Sequence, residues 1–525
     1  MIADLDTRSG EHYLPTDEVL PGPGEPSEPH GFARSQERFG FVMGWLSGEE
    51  AGAVTHAELE DRLEVDAREL FRQLLQDHLD LRADREERIE GVVDCEGALR
   101  ASVEAGHERL LQTVFGEVRV RRVAYRQRGR CNLYPADGML NLPPEKHSHG
   151  LRRLAAIESA RGSFEDACEA VRRSSGQRVG KRQLECLARR SACDFDAFYA
   201  GRAPAPSEHT DALVLSCDGK GVVMRPDALR PATRKQATKA KGKLKTRLSK
   251  GEKRNRKRIA EVGAVYDATP APRSMSDILP NQSERQEAKP GPQAEGKWLT
   301  ASVTDDAAQV VSGIFDEAER RDRGHARDWV ALVDGNNHQI DRIETEATER
   351  GIDVMIIVDF VHVLEYLWKA AWCFHREGDP AAELWVRRHA KQILDGAATK
   401  VAGAIRRQAT KTGLDPPQRL GADTCAAYLT NKRAYLDYPT ALRQGWPIAT
   451  GVIEGACRHL VKDRMDLTGA RWGLEGAEAI LKLRAIRANG DFDDYWRYHL
   501  AEEHRRVHRS RYAAGAIPTQ HEQSL

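Results

Sequence analysis

The chain has 525 residues, 40% of them hydrophobic, so it can bury a sizeable core, and we expect roughly two to four domains. Lys plus Arg and Asp plus Glu both number 80, and the resulting net charge of zero argues neither for nor against a polyanionic partner. The nine cysteines form no Cys-x-x-Cys pair, which disfavours a disulfide framework and a zinc ribbon. The sequence has no signal-peptide core and no apolar run approaching about 18 residues, so we expect a cytoplasmic protein.

The first 112 residues predict a disordered lead-in followed by a helical arm. Residues 1–35 are rich in Pro, Gly and Glu and lack apolar periodicity, which is typical of disorder. In residues 36–112, leucines recur at three- and four-residue steps, as in LEDRLEVDARELFRQLLQDHLDL. This spacing predicts amphipathic helix, with its charged face most simply solvated.

Residues 113–202 combine a strand pattern with a helix-turn-helix-like pair. The segment TVFGEVRVRRVAYRQRG alternates apolar residues with arginines, which predicts a strand or hairpin. The segment GSFEDACEAVRRSSGQRVGKRQLECLARR predicts a helix over residues 164–173, a Ser-Ser-Gly turn and a second helix. The second helix opens with Lys181, Arg182 and Gln183, which are candidate DNA contacts at the end that enters a major groove. Helical hairpins of this kind also occur in proteins that bind no DNA.

Beyond a linker near residues 203–209, the order of the predicted elements is that of a ribonuclease-H-like α/β domain. Three strands come first and are followed by alternating helices and strands: strands at 212–224, 259–268 and 297–304, helix 307–321, strand 328–334, helix 339–350, strand 353–359 and helix 361–374. We predict that this domain covers residues 209–372 and 445–498, with residues 499–525 as a tail.

Two insertions interrupt the predicted domain. Residues 234–258 hold 13 Lys or Arg among 25 residues, and DNA is the expected partner of such a charge run. The candidate contacts within it are Lys241, Lys243, Lys245, Arg247 and Arg254. A localisation signal or a solvated loop is the alternative interpretation. Residues 373–444 are helical in pattern and form the second insertion.

Three acidic residues are the candidate catalytic groups. Asp218 follows the apolar segment LVLSC, Asp334 closes WVALV, and Glu454 lies in the first turn of the helix predicted in GVIEGACRHLVKDRM. Each acid alone has an ordinary explanation as a turn or helix-end residue, but ligands of open α/β sheets gather at the carboxyl ends of strands. Converging carboxylates repel one another unless a cation is bound. We therefore predict that these three residues hold two Mg²⁺ ions, for which Mn²⁺ can substitute, for phosphodiester chemistry.

Asp359 is a rival to Asp334 as the second acid, because it ends the apolar strand VMIIVD. His362 follows it at Asp-x-x-His spacing and either contacts a phosphate, orients Asp359 or is structural. Further candidate DNA contacts lie after Glu454: Arg458, Lys462, Arg471 and Trp472. Trp472 is a candidate for stacking on an unpaired base, although a buried core tryptophan is the commoner role.

The chain resembles the DDE transposases of bacterial insertion sequences, specifically the ISKra-type group related to Mutator-like elements. The resemblance lies in WPIATGVIEGACRHLVKDRMDLTGARWGLEGAEAILKLRAIRANGDFDDYW, VDFVHVLEYLWKAAW and LSCDGKGV, and it covers about residues 113–498. By position it assigns Asp218, Asp334 and Glu454 as the three acids, and Asp359 with His362 as the Asp-x-x-His pair. Family members commonly show Gly-Ser-Gly where this chain has Ala-Thr-Gly at residues 449–451.

The resemblance implies a ribonuclease-H-like catalytic core with an all-helical insertion, preceded by a mainly helical DNA-binding region. It also implies binding of terminal inverted repeats, magnesium-dependent cleavage and strand transfer, and at least a homodimer in the active complex, located at the bacterial nucleoid. Two alternatives stay open. One is a ribonuclease-H-like nuclease or resolvase without strand transfer, and the other is a domesticated DNA-binding protein without catalysis.

Overall fold

The computed structural model describes residues 31–202, 211–239, 256–281, 287–467 and 469–519. These residues form a mixed α/β structure with a two-stranded hairpin and a mixed five-stranded sheet. Most of the predicted lead-in, the predicted linker and most of the basic insertion lie outside the described residues, and so do five candidate DNA contacts: Lys241, Lys243, Lys245, Arg247 and Arg254. Within the described ranges, no helix is long and apolar enough to cross a lipid bilayer.

The N-terminal arm is a helical hairpin of α1 (Ala33–Leu46), α2 (Glu49–Ala53) and α3 (His56–Asp84). A capping box starts α3: the Glu58 amide donates to the Thr55 hydroxyl, and the Thr55 amide donates to the Glu58 carboxylate at 2.8 Å. The buried carboxylate of Asp77 on α3 accepts bonds from the amide and the hydroxyl of Ser35 on α1. Polar contacts therefore hold the two long helices together.

The predicted helical arm is wrong from residue 85 onward, because α3 ends at Asp84 and the chain then enters a strand. Strand β1 (Ser102–Gln112) pairs antiparallel with β2 (Glu117–Arg126), with a bulge between Glu104 and His107. Gly106 lies in that bulge with a φ of +76°, a value that favours glycine. The two leucines of β1, Leu110 and Leu111, are adjacent and set no clear period, and pairing with β2 decides in favour of a strand.

The segment after the hairpin is helical: α4 (Pro135–Met139), α5 (His149–Arg161), α6 (Phe164–Ser175), α7 (Lys181–Ser191) and α8 (Phe195–Gly201). The predicted helix pair is confirmed as α6 and α7. Ser163 caps α6 through a capping box, and Gly176 ends it with a φ of +70°. A buried apolar cluster joins α5, α6 and α7, with Leu151, Val171 and Leu184 among its members.

The predicted order of strands and helices in the α/β region is confirmed. The strands are β3 (Ala212–Val223), β4 (Lys257–Ala268), β5 (Ala294–Ser302), β6 (Trp329–Val333) and β7 (Val354–Val358). They lie in the order β5-β4-β3-β6-β7, in which β5, β4 and β3 are antiparallel and β3, β6 and β7 are parallel. All five residues of β6 are buried, as expected of a central strand covered on both faces.

The helices around this sheet are α9 (Pro231–Lys239), α10 (Met275–Ile278), α11 (Ala307–Arg321), α12 (Asn337–Arg350) and α13 (Phe360–Ala371). The predicted helical insertion is confirmed and consists of α14 (Pro380–Leu394), α15 (Ala398–Lys411), α16 (Leu420–Asn431) and α17 (Tyr438–Gln444). The chain then forms α18 (Gly451–Ala456), a π-helical turn (Cys457–Lys462), α19 (Asp463–Met465), α20 (Leu474–Ala488) and α21 (Phe492–Val507).

One hydrophobic core joins most of these parts. Phe198 of α8, Leu332 of β6, Trp385 of α14 and Ile480 of α20 all belong to the same buried cluster. Helix α21 runs through the predicted boundary between domain and tail at residue 498, and its Glu503 is buried. The predicted segments after about residue 155 therefore share one core, whereas the N-terminal arm and the β1–β2 hairpin contribute to separate buried clusters.

The guanidinium of Arg152, on α5, lies at the centre of a buried polar network with α21. Arg152 is fully buried and donates to the carboxylate of Glu503 at 2.5 Å and to ring nitrogens of His149 and His499, at 3.1 and 3.3 Å. Glu145 lies 3.3 Å from the same guanidinium. A buried arginine is tolerated only when such partners satisfy it.

Stability is expected to depend on the protonation of His149. Its Nε2–H donates to the carbonyl of Asn141 at 2.7 Å and its Nδ1 accepts from Arg152, so the folded protein needs the neutral ring. Burial, and then the charge of Arg152, lowers the pKa of His149 to about 4. Between about pH 6.5 and pH 4, His149 is protonated in the unfolded chain but neutral in the folded chain. The free energy of unfolding therefore falls as the pH drops through this range.

Urea unfolding across that pH range checks this prediction, with His149→Gln as the comparison. The wild type should lose up to about 3 kcal/mol more than the variant between pH 6.5 and 4, since one pKa unit corresponds to about 1.4 kcal/mol. Equal losses in the two proteins would show that His149 is not the group responsible.

Candidate functional site

Three aspartates lie in one row at the carboxyl ends of the parallel strands. Ser216 of β3 lies opposite Leu332 of β6, which lies opposite Ile357 of β7. Two residues further along these three chain segments are Asp218, Asp334 and Asp359. Side chains return to the same face of a sheet every second residue, so the shared register brings the three carboxylates to one edge and one face.

Asp218 is held by two donors. Its Oδ1 accepts the amide of Gly219 at 2.6 Å, and its Oδ2 accepts the thiol of Cys457 at 3.3 Å. The side chain is partly buried on β3, and Cys457 is buried three residues after Glu454. The Cys457 contact therefore joins the first strand of the row to the helix of the third predicted acid.

Asp334 is partly buried in a tightly held turn after β6. Its Oδ1 accepts the amide of Asn336 at 2.8 Å, and its backbone carbonyl accepts the hydroxyl of Tyr428 at 3.1 Å. The next residue, Gly335, has a φ of +91°, and a Cβ there would lie 2.6 Å from the Tyr428 hydroxyl. Helix α16 of the insertion thus determines how this turn is placed.

Asp359 is fully buried, unlike Asp218 and Asp334. Its Oδ1 accepts the amide of Val361 as the N-cap of α13, and its Oδ2 accepts the hydroxyl of Thr450 at 2.5 Å. The Nδ1 of His362 lies 4.0 Å from the same Oδ2. Both carboxylate oxygens are therefore engaged by the protein.

Glu454 is exposed on α18, and the helix that carries it is anchored to the row at two points. Thr450 contacts Asp359, and its hydroxyl oxygen also lies 3.4 Å from Oε1 of Glu454. Cys457 contacts Asp218 at the start of the π-helical turn. The structure thus places the helix that carries Glu454 beside the aspartate row.

The pKa values of two cysteine thiols reflect the concentration of negative charge. Burial, followed by the charge of Asp218, raises the pKa of the Cys457 thiol, and Glu454 raises it further. Burial also raises the pKa of the Cys217 thiol, together with three acids around it: Glu261, Asp334 and Asp218. A cation bound among these acids would relieve the repulsion.

The carboxylates are close but not gathered into a compact ligand set. Among the described residues, the one group of three or more potential ligands whose atoms all lie within 4.8 Å of one another is Cys193, Asp194 and His499. That group already holds a positive charge, because Arg506 donates to both oxygens of Asp194. The nearby Arg152 donates to the Nε2 of His499. Cations of the protein therefore take the place a metal ion would occupy there.

The predicted DNA contacts fall into two groups. Lys181, Arg182, Arg458, Lys462 and Arg471 are exposed. Gln183 is also exposed, but its side chain accepts the amide of Gly180 and closes the N-terminus of α7, and Lys181 is 2.9 Å from Glu165. Lys181 and Gln183 therefore already have protein partners, and Arg458 lies 3.8 Å from Asp463. Arg182, Lys462 and Arg471 are exposed where they can meet a solvent-borne anion.

The prediction that Trp472 stacks on a base is wrong. Trp472 is 6% exposed, and its Nε1 donates to the carbonyl of Met465 at 3.0 Å. The guanidinium of Arg464 lies 4.7 Å from its ring centroid, and Phe164 packs against it at 6.1 Å. The ring fills the space between α6 and the chain after the π-helical turn, so no face is open to a base.

Four residues of the site were not singled out from the sequence as site residues. Cys457 follows Glu454 by three residues, a spacing that places both on one helix face, so this contact has a sequence signal. Thr450 has the same kind of signal, one turn before Glu454. Tyr428 and Glu261 come from other elements, and no local pattern points to them. Burial raises the pKa of Glu261, and Asp218 contributes.

Comparison with models of known protein families finds no match, and comparison with curated proteins finds none either.

The two rival aspartates should differ in their effect on stability. Asp359→Ala removes an N-cap and the 2.5 Å acceptor of the buried Thr450 hydroxyl, leaving that hydroxyl the longer contact with Glu454, so we expect a loss of about 2–4 kcal/mol. Asp334→Ala removes one turn bond from a partly buried carboxylate, and we expect a loss below about 1 kcal/mol. Urea unfolding of both variants measures the difference, and equal losses would contradict the division of roles.

Proposed function

We propose that the protein is a DDE transposase that binds the terminal inverted repeats of an insertion sequence and catalyses metal-dependent DNA cleavage and strand transfer. The observation that carries the proposal is the row of Asp218 and Asp334 on adjacent strand ends with Glu454 on the helix tied to that row. The strand order β5-β4-β3-β6-β7, antiparallel on one side and parallel on the other, supports a ribonuclease-H-like catalytic domain.

The donor set fits two divalent ions of the Mg²⁺ or Mn²⁺ class. Such ions prefer carboxylate oxygens, and each proposed ligand can offer one: Asp218, Asp334 and Glu454. In the described part of the chain, no protein donor bonds to Oδ2 of Asp334. Asp218 and Asp334 would share one ion, and Asp218 and Glu454 the other. When bound, the ions activate water or a DNA 3′-hydroxyl and stabilise the leaving oxygen.

Asp334 is the better second acid, and Asp359 is the anchor of the helix that carries Glu454. Asp359 has no exposed surface, so a solvent-borne metal ion would have to displace the groups packed around it to reach its oxygens, whereas Asp218 and Asp334 are both partly exposed. Asp334 is partly exposed and has an oxygen available. His362 is 35% exposed beside Asp359, which suits contact with a phosphate group.

DNA is the proposed partner. Arg458 and Lys462 lie exposed on the π-helical turn that follows Glu454, and Arg471 is exposed shortly beyond it. Exposed cations near a phosphodiester-cleaving site position the DNA backbone without reading sequence. Helices α6 and α7 are proposed to read the repeat, with Arg182 exposed at the start of α7. Two symmetric element ends call for at least a homodimer, working at the nucleoid in the cytoplasm.

Replacing Glu454 by Gln should lower DNA cleavage at least about 100-fold, because one carboxylate of the metal site is lost. DNA binding should stay within about threefold, since Glu454 is exposed and supports no core contact. The measurement uses a duplex that carries the DNA flanking the gene, with cleavage and binding followed separately in Mg²⁺. Glu383→Gln is the matched control, because Glu383 is also an exposed first-turn glutamate, on α14 of the insertion.

An unchanged cleavage rate in Glu454→Gln would refute the assignment of the third acid. Joining of pre-cleaved ends to a target duplex separates a transposase from a nuclease or resolvase, which would cut without joining. Specific binding by the wild type without any cleavage would instead identify a non-catalytic DNA-binding protein.

A further inference from the structure

We infer that Cys457 is a positioning residue that sets the metal affinity of the site by holding the carboxylate of Asp218; this inference rests on the proposed function. The contact is specific: the thiol donates to Oδ2 of Asp218 at 3.3 Å. Cys457 is 5% exposed. It follows Glu454 by three residues, which places the two residues on neighbouring positions of one helix face. The thiol is therefore built into the site and screened from solvent.

The two donors to Asp218 work together. The amide of Gly219 bonds Oδ1 at 2.6 Å and the thiol bonds Oδ2, so rotation of the carboxylate about its terminal bond would break both contacts. Each oxygen keeps further acceptor capacity, because a carboxylate oxygen accepts more than one bond. Asp218 is the ligand proposed to be shared by both ions, so its orientation affects the whole site.

The geometry of the π-helical turn explains why the Cys457 thiol can reach Asp218. The π-helical turn begins at Cys457, and its exposed members are cationic or polar: Arg458, His459 and Lys462. Its buried members are Cys457, Leu460 and Val461. The turn thus directs the thiol inward at Asp218 while it turns the cations outward, and single π-helical turns of this kind occur frequently at functional sites.

The physical consequence is a change in metal affinity. Residues that hold a metal ligand in place typically alter metal affinity by about 10- to 100-fold when they are removed. Without the thiol, Asp218 keeps one donor, and its carboxylate samples orientations that do not face the ions. Metal binding must then supply the free energy that orients the Asp218 carboxylate, so the metal affinity falls. Contacts with DNA do not depend on this orientation and are unaffected.

The test compares Cys457→Ala and Cys457→Ser with the wild type in the full-length protein. We expect Ala to raise the Mn²⁺ concentration for half-maximal binding, read by electron paramagnetic resonance without DNA, by about 10-fold or more. Ser keeps a hydroxyl donor on a shorter bond, so we expect a shift smaller than about threefold. The dissociation constant for DNA should not change. Cys168→Ala is the control for metal affinity, because Cys168 is a partly buried thiol packed on the cluster of α5, α6 and α7.

The outcomes separate this inference from the proposed function. If the wild type binds Mn²⁺ and cleaves DNA but Cys457→Ala has the same Mn²⁺ affinity, the role of Cys457 is refuted and the transposase proposal stands. A wild type that binds no Mn²⁺ overturns both. If Ala and Ser shift the affinity equally, the thiol acts through packing, and the positioning role is refuted as well. A shift confined to Ala, with DNA binding intact, supports it.

Discussion

The parallel register of β3, β6 and β7 is the constraint on which the site depends. It places Asp218, Asp334 and Asp359 in one row, where their negative charges repel one another. Such a row is stable only if hydrogen-bond donors or cations offset the repulsion among the carboxylates. The protein supplies donors from the backbone and from the helix that carries Glu454, through Thr450 and Cys457. The same helix therefore brings in a further carboxylate and reduces the repulsion among those already there.

Burial divides the aspartates into two kinds. Asp359 is enclosed and fully bonded, and it ties the start of α13 to the start of α18. Asp218 and Asp334 remain partly exposed and are oriented by short contacts to neighbouring backbone amides. An enclosed carboxylate is suited to hold protein elements together, and a partly exposed one is suited to meet a solvent-borne cation. Two residues that look equivalent at the ends of strands thus acquire different roles.

Specific side-chain contacts join the elements outside the sheet to one another and to the site. Helix α5 is joined to α21 by the buried guanidinium of Arg152, and α6 is joined to the chain beyond the π-helical turn by Phe164 and Trp472. The insertion reaches the site through Tyr428, which bonds the backbone of Asp334. The proposed DNA-reading helices, the insertion and the proposed metal site are therefore connected through direct side-chain contacts.

The sequence by itself determined the elements with strong local signals. The apolar runs of β6 and β7, the glycine-ended helix α6 and the order of strands and helices are all legible in the chain, because short-range periodicity and capping decide them. The acids at strand ends were identifiable for the same reason. The tertiary structure decided what depends on distant partners. Pairing with β2 made β1 a strand, packing against Phe164 and Arg464 buried Trp472, and the Thr450 hydroxyl distinguished Asp359 from Asp334. Each of these outcomes is decided by a contact between residues far apart in the chain or on different elements, and local pattern carries no information about such contacts.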